Sequence, residues 1–204
     1  MLLEKTMLDI NIGTICSEVG IGNSALLITR EKGQKVYIEL VKRIQASDPA
    51  NCPIKIIFPE NQLMDVSFAD EVVIRLQEGL NKGEFGEGQG IILYGLGDDS
   101  IENLTAAVKL QKLKIAFMVI KQTGKWDCIG QIEQNLRKTL DLLFKQGRLT
   151  APDLARHLGL AVNTASTRLK RLYDMHLIRR DFEITENGLQ YIYMFWPIEE
   201  SKHD

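Results

Sequence analysis

Apolar residues in the first 121 positions alternate between short continuous runs and stripes at helical spacing. The runs lie at Ala25–Arg30, Ile54–Phe58, Gly90–Leu96 and Lys114–Lys121. Such runs, rich in Ile, Leu and Val, predict strands, and the last two are apolar enough to be covered on both faces. The repeated order of strand then helix predicts an α/β sandwich with a largely parallel or mixed sheet.

The segments between these runs carry apolar residues three or four positions apart. One stripe consists of Val36, Leu40 and Ile44, and a second consists of Phe68, Val72 or Val73, Leu76 and Leu80. These stripes predict helices that each bury one face. A further helix is expected after Gly90–Leu96, capped by Asp99 or Ser100.

The alternation stops at Lys121–Gly130, and helical spacing dominates afterwards. Ile132, Leu136, Leu140 and Leu143 share one stripe. We therefore place a domain boundary near Gly130, with an α/β domain at residues 1–130 and a mostly α-helical domain at residues 131–204.

Two short helices with a tight turn are predicted in the second domain. Thr150 and Asp153 form a capping-box pattern, Pro152 fits the first turn, and Gly159 ends the first helix. The second helix is expected to begin at Asn163 and to bury Ala165, Leu169 and Leu172. Its other side chains include hydroxyl, amide and guanidinium groups, which suit contacts in the DNA major groove.

Charge supports this interpretation locally and not globally. The net charge of the chain is −2. From Lys145 to Arg180, however, eight cations face only two acids, so this window carries six net positive charges. A local basic surface favours phosphate binding even when the whole chain is slightly acidic.

The segment "DLARHLGLAVNTASTRLKRLYDMHLIRRDFEITENG" resembles the winged helix-turn-helix domains of bacterial transcription regulators. Ser166 and Leu169 match the core pattern of the recognition helix, and His176 stands where such domains often have glycine. Leu177–Arg180 matches the first wing strand, and Arg179–Glu183 makes a very short wing with Asp181 and Glu183 at its tip. The resemblance implies double-stranded DNA as partner, contacted by Asn163, Thr164, Thr167, Arg168, Lys170, Arg171, Arg179 and Arg180. Winged helices also dock proteins, which leaves a signalling adaptor as the alternative.

The first domain resembles the STAS-like family, relatives of anti-sigma-factor antagonists, and "SFADE" (Ser67–Glu71) is the sharpest piece of the likeness. The resemblance implies a signalling partner such as a kinase or an anti-sigma-like protein, and makes Ser67 a candidate regulatory phosphosite. The simpler alternative is that Ser67 is a helix N-cap with Asp70 at the third position, which would explain the residue fully.

The remaining chemistry-bearing residues predict no enzyme, cofactor or metal site. Cys16, Cys52 and Cys128 form no CxxC pair, and His157, His176 and His203 have no ligand neighbours at metal spacing. Nothing assembles a nucleophile, a base and an oxyanion donor. A small-molecule-binding α/β enzyme with an accessory domain is kept as a weaker third alternative.

Location and assembly follow from the same sequence. Neither a signal peptide nor a run of membrane-spanning length is present, so we expect a soluble, cytoplasmic protein. One winged helix covers only half a site, so a homodimer on a pseudo-palindrome is expected. Its surface is predicted at Leu189–Ile198, together with the helix Ile132–Leu143, and packing against the α/β domain is the competing explanation.

Overall fold

The structure is a computed structural model that describes residues 7–21, 26–47, 53–112, 114–186 and 188–196. It divides into two compact units between Gln131 and Ile132.

The first unit is built on a five-stranded sheet. Its strands, in chain order, are β1 (Leu8–Asn11), β2 (Leu26–Leu27), β3 (Pro53–Ile57), β4 (Leu63–Met64), β5 (Gly90–Leu96), β6 (Ala116–Lys121) and β7 (Trp126–Gly130). The sheet order is β1-β3-β5-β6-β7, parallel up to β6 and antiparallel at β7. β2 and β4 form a separate parallel pair. The predicted α/β class with a mixed sheet is confirmed.

The helices of this unit cover the sheet with the faces that the sequence indicated. They are α1 (Ile12–Glu18), α2 (Arg30–Ser47), α3 (Val66–Ala69), a π-helical turn (Asp70–Ile74), α4 (Arg75–Asn81) and α5 (Asp98–Leu110). Val36, Leu40 and Ile44 are fully buried on α2, as their spacing predicts. The second predicted stripe is buried as well, although a π-helical turn divides its helix.

One strand prediction was wrong. The expected strand at Ala25–Arg30 is reduced to the two residues of β2, because α2 already begins at Arg30. The segment at Lys121–Gly130, where the alternation of strand and helix stops, holds a strand that the sequence did not predict, β7. Gly124 adopts a φ of 77° in the turn, and the Lys121 amide donates to the Lys125 carbonyl, which closes a hairpin onto β6.

Two helix caps also differ from the sequence interpretation. Asp65 is the N-cap of α3 and accepts a hydrogen bond from the Phe68 amide at 2.7 Å, so Ser67 lies inside the helix. α5 begins at Asp98 after Gly97, without a side-chain cap. Ser100 is buried instead, where its hydroxyl accepts from the Met64 amide and donates to the Gln62 carbonyl.

In its described residues, 132–186 and 188–196, the second unit contains three helices and a three-stranded antiparallel sheet. The elements are α6 (Gln134–Gln146), β8 (Arg148–Thr150), α7 (Ala151–Leu158), α8 (Val162–Asp174), β9 (Arg179–Thr185) and β10 (Gly188–Met194). The sheet order is β8-β10-β9. Its core combines the predicted apolar faces of the helices with residues that follow α8 in the chain. The buried members include Leu136, Leu140, Leu143, Leu154, Leu169, Leu172, Leu177, Ile178, Tyr193 and Trp196.

The aromatic residues of Tyr193–Trp196 pack into this core, contrary to their predicted role in a dimer surface. Tyr193, Phe195 and Trp196 are all less than 10% exposed. The Phe195 ring meets Phe144 edge-on, with centroids 5.0 Å apart, and the Trp196 indole N–H donates to the His176 carbonyl at 3.3 Å. Within the described part of Leu189–Ile198, the exposed side chains are Leu189 and Tyr191. Pro197 and Ile198 lie outside the described residues, as do Cys52 and His203.

Candidate nucleic-acid interface

α7 and α8 meet through a turn of three residues, and the sequence dictates both ends of α7. The Thr150 hydroxyl accepts from the Asp153 amide, while the Asp153 carboxylate accepts from the Thr150 amide and hydroxyl at 3.1 and 2.6 Å. These bonds lower the pKa of Asp153, the hydroxyl contact contributing most. Gly159 ends the helix with a left-handed φ of 63°, which suits glycine. The predicted capping box and helix end are confirmed.

α8 has one buried side and three polar sides. Ala165, Leu169 and Leu172 are fully buried against the rest of the unit. At 100° per residue, Asn163, Thr167 and Lys170 lie opposite this buried side. All three are exposed. We call these three residues the outward face of α8.

The outward face offers hydrogen-bonding groups near the helix start and a charge further along. The Thr167 hydroxyl donates to the Asn163 carbonyl at 2.9 Å, which leaves its lone pairs to accept hydrogen bonds. The Lys170 ammonium pairs with Asp174 one turn later at 2.5 Å, with both side chains about half exposed. An exposed pair of this kind contributes little to stability, so Lys170 can exchange Asp174 for a phosphate at low cost.

One flank of α8 turns towards α6 and does not share the outward face. Arg171 binds both carboxylate oxygens of Glu133, the residue that precedes α6, and this contact raises the pKa of Arg171. Arg168, one turn earlier on the same flank, is half-buried. Exposed Thr164 lies on the same flank, between Arg168 and Arg171 around the helix. Arg168 and Arg171 therefore lie on a different side of α8 from Lys170, because helical geometry separates them.

The opposite flank of α8 faces the hairpin of β9 and β10, which is the wing. Exposed Ser166 lines an open groove of about 340 Å³ together with Leu189 and Tyr191 of β10. Ser166 directly follows buried Ala165, and helical spacing carries its side chain out of the core.

Arg180 joins the wing to α8. Its guanidinium lies 4.2 Å from the ring centroid of Tyr173 on α8 and 4.3 Å from that of Tyr191 on β10. It also contacts Tyr193, its cross-strand partner; burial raises the pKa of the Tyr193 hydroxyl, and Arg180 partly offsets this effect. Stacking between two rings makes Arg180 a clamp within the domain.

Arg179 and Arg180 point to opposite faces of the wing, because successive strand residues alternate. The two do not form one basic patch. The predicted short wing was also wrong: β9 and β10 are seven residues each, and Asp181 and Glu183 lie within β9 and not at the tip. Exposed Glu186 stands in the turn.

The candidate phosphosite lies in the other unit. Ser67 is half-buried in the first turn of α3, two residues after the Asp65 carboxylate. That carboxylate also accepts from the Thr29 amide at 3.1 Å. Over the described ranges, no three His, Cys, Asp or Glu side chains gather where they could hold a metal ion. None of the described helices is long and apolar enough to cross a membrane.

Comparison with known protein families gives a match over the region that contains α7 and α8. Residues 132–179 match the family described as winged helix-turn-helix DNA-binding. A search of curated proteins finds no match to the chain. The family match ends at Arg179, the first residue of β9, so most of the wing lies beyond it. With α7, the turn, α8 and the β9–β10 hairpin in place, the second unit is a winged helix-turn-helix domain.

Proposed function

We propose that this protein is a transcription regulator that binds double-stranded DNA through the outward face of α8. The observation behind the proposal is the exposed set of Asn163, Thr167 and Lys170 opposite a fully buried apolar side, in a domain that matches a DNA-binding family. Recognition helices of this kind contact base edges with residues near their N-terminal end. Asn163 and Thr167 occupy that end of α8.

The three side chains suit different parts of the duplex. An Asn side chain can bond an adenine edge in a bidentate way, and a Thr hydroxyl accepts or donates to either base pair. Lys170 supplies a positive charge for a phosphate. Ser166 and Thr164 lie on the two flanks of the outward face and can adjust the register of α8 on the duplex. Arg168, Arg171, Arg179 and Arg180 are secondary contacts in this proposal, because each faces another surface or another partner.

The first unit is proposed as a STAS-like signalling domain that answers to a protein partner such as a kinase or an anti-sigma-like protein. Its α/β fold with a mixed sheet and the "SFADE" segment support this part. Phosphate on Ser67 would lie near the Asp65 carboxylate, and like-charge repulsion would disturb the start of α3. Such a disturbance would make Ser67 a switch.

Selection of bound duplexes from a random pool by the full chain tests the DNA proposal. We expect one enriched sequence with two related half-sites, since two copies on a pseudo-palindrome extend the contact. Asn163→Ala should weaken binding to that sequence by about 5- to 150-fold, equivalent to ~1–3 kcal/mol. Asn135→Ala, an exposed asparagine on α6, is the matched control. A pool without enrichment, or equal affinities of the two variants, would refute the proposal.

A further inference from the structure

The wing carries exposed apolar side chains on one face. Phe182 and Leu189 are each 57% exposed, Ile184 is 85% exposed and Tyr191 is 43% exposed. The strand register places Tyr191 opposite Phe182 and Leu189 opposite Ile184, so the four form one continuous patch. β9 is the outer strand of its sheet, and no described strand pairs with its free edge.

The charges around this patch disfavour nucleic acid. Asp181, Glu183 and Glu186 are exposed along β9 and its turn, where they would repel phosphates. An apolar patch on a free strand edge fits another protein strand. The charge distribution then indicates which strand: basic Arg180 stands near the start of β9, and acidic Glu186 follows its end.

We propose that two copies of this chain pair antiparallel along β9, with Glu183 at the two-fold axis. In this register Arg180 of each copy lies opposite Glu186 of the other, and Phe182 of each lies opposite Ile184 of the other. The two apolar patches then form one face of a continuous six-stranded sheet. A strand with a basic start, an apolar middle and an acidic end is complementary to itself in the antiparallel sense, as a two-fold interface requires.

Backbone geometry is compatible with this pairing. The Phe182 amide donates to the carboxylate of its own neighbour Asp181 at 2.8 Å, so this N–H is directed away from β10 and towards the free edge. Pairing replaces that local bond with a bond between strands. The unfavourable contact in the register is Glu183 opposite Glu183, two like charges at the axis. The interface is therefore expected to be weak, with a micromolar dissociation constant.

The pairing supplies the two-fold arrangement used in the proposed function, but it does not depend on DNA and is tested without it. Sedimentation of the full chain over a range of micromolar concentrations should show a monomer–dimer equilibrium. Ile184→Arg should weaken the association at least tenfold. Leu110→Arg, the same kind of change at a 72% exposed apolar residue of α5, should leave it unchanged. A monomer at every concentration, or a dimer that persists in Ile184→Arg, would overturn the proposal.

The register has its own test. Glu183→Cys should form a disulfide between copies on mild oxidation, because the two residues meet at the axis. Asp181→Cys should not form one, because position 181 of the other copy lies four residues further along the strand. The unaltered chain, which has three cysteines of its own, gives the background level of cross-linking. Glu183→Gln should strengthen the dimer by removing the like charges. Preferential cross-linking through position 181, or weaker association of Glu183→Gln, would overturn this register. If Ile184→Arg dissociates the dimer while DNA selection fails, the pairing stands and the DNA proposal falls.

Discussion

At the scale of single residues, four cations that look equivalent in the sequence have four different environments. Lys170 is on the outward face of α8, Arg168 is half-buried, Arg171 is bound by Glu133, and Arg180 is stacked between two tyrosine rings. The sequence predicts their charge and their helix or strand. It does not predict Glu133, Tyr173 or Tyr191 as partners, because each contact joins two different elements and depends on how those elements pack.

The Arg180 clamp should stabilise the second unit. Arg180→Ala removes two cation–π contacts, and we expect the free energy of unfolding to fall by about 1–2 kcal/mol. The measurement is urea unfolding of the Trp126→Phe chain, followed by the fluorescence of Trp196, which is buried in this unit. Arg179→Ala, the exposed neighbour on the other wing face, should change the free energy by less than ~0.5 kcal/mol. Equal effects of the two substitutions would exclude a clamp.

At the scale of elements, local sequence signals predict helix ends well only where the cap is formed by nearby residues. The Thr150–Asp153 box and Gly159 fix α7 within nine positions, and both were predicted. Ser67 and Ser100 have the same cap-forming chemistry, but neither of them caps its helix. Asp65 occupies the cap of α3, and Ser100 joins α5 to the β4 segment 36 residues away.

The capping box gives a pH dependence with a defined sign. Hydrogen bonds lower the pKa of Asp153 in the folded chain, so its stabilisation is complete above about pH 5 and is lost as pH falls through the lowered value. Asp153→Ala should therefore cost about 1 kcal/mol near neutral pH and progressively less in acid. Unfolding of both chains from pH 7 to 3 measures this, with exposed Glu186→Ala as control. A cost that does not shrink in acid would contradict the carboxylate's role.

At the scale of the whole molecule, the order of elements could be predicted and the surfaces could not. Alternating apolar runs and stripes predicted the α/β class because parallel strands and their crossover helices bury characteristic faces. The dimer surface was placed at the aromatic end of the chain, where Tyr193 and Trp196 instead fill the core of the second unit. Composition shows that such side chains must be covered, but only the fold shows what covers them. The exposed apolar patch is on the wing.

DNA binding through α8 is tested by the salt dependence of the affinity for the selected duplex. We expect log Kobs to fall steeply and linearly with log [salt], and Lys170→Ala to reduce the slope by about 1. Lys35→Ala is the matched control, because Lys35 forms an exposed ion pair with Glu31 one helical turn away, as Lys170 does with Asp174. The control should leave the slope unchanged. A slope near zero, or the same slope in wild type, Lys170→Ala and Lys35→Ala, would contradict DNA binding by the outward face of α8.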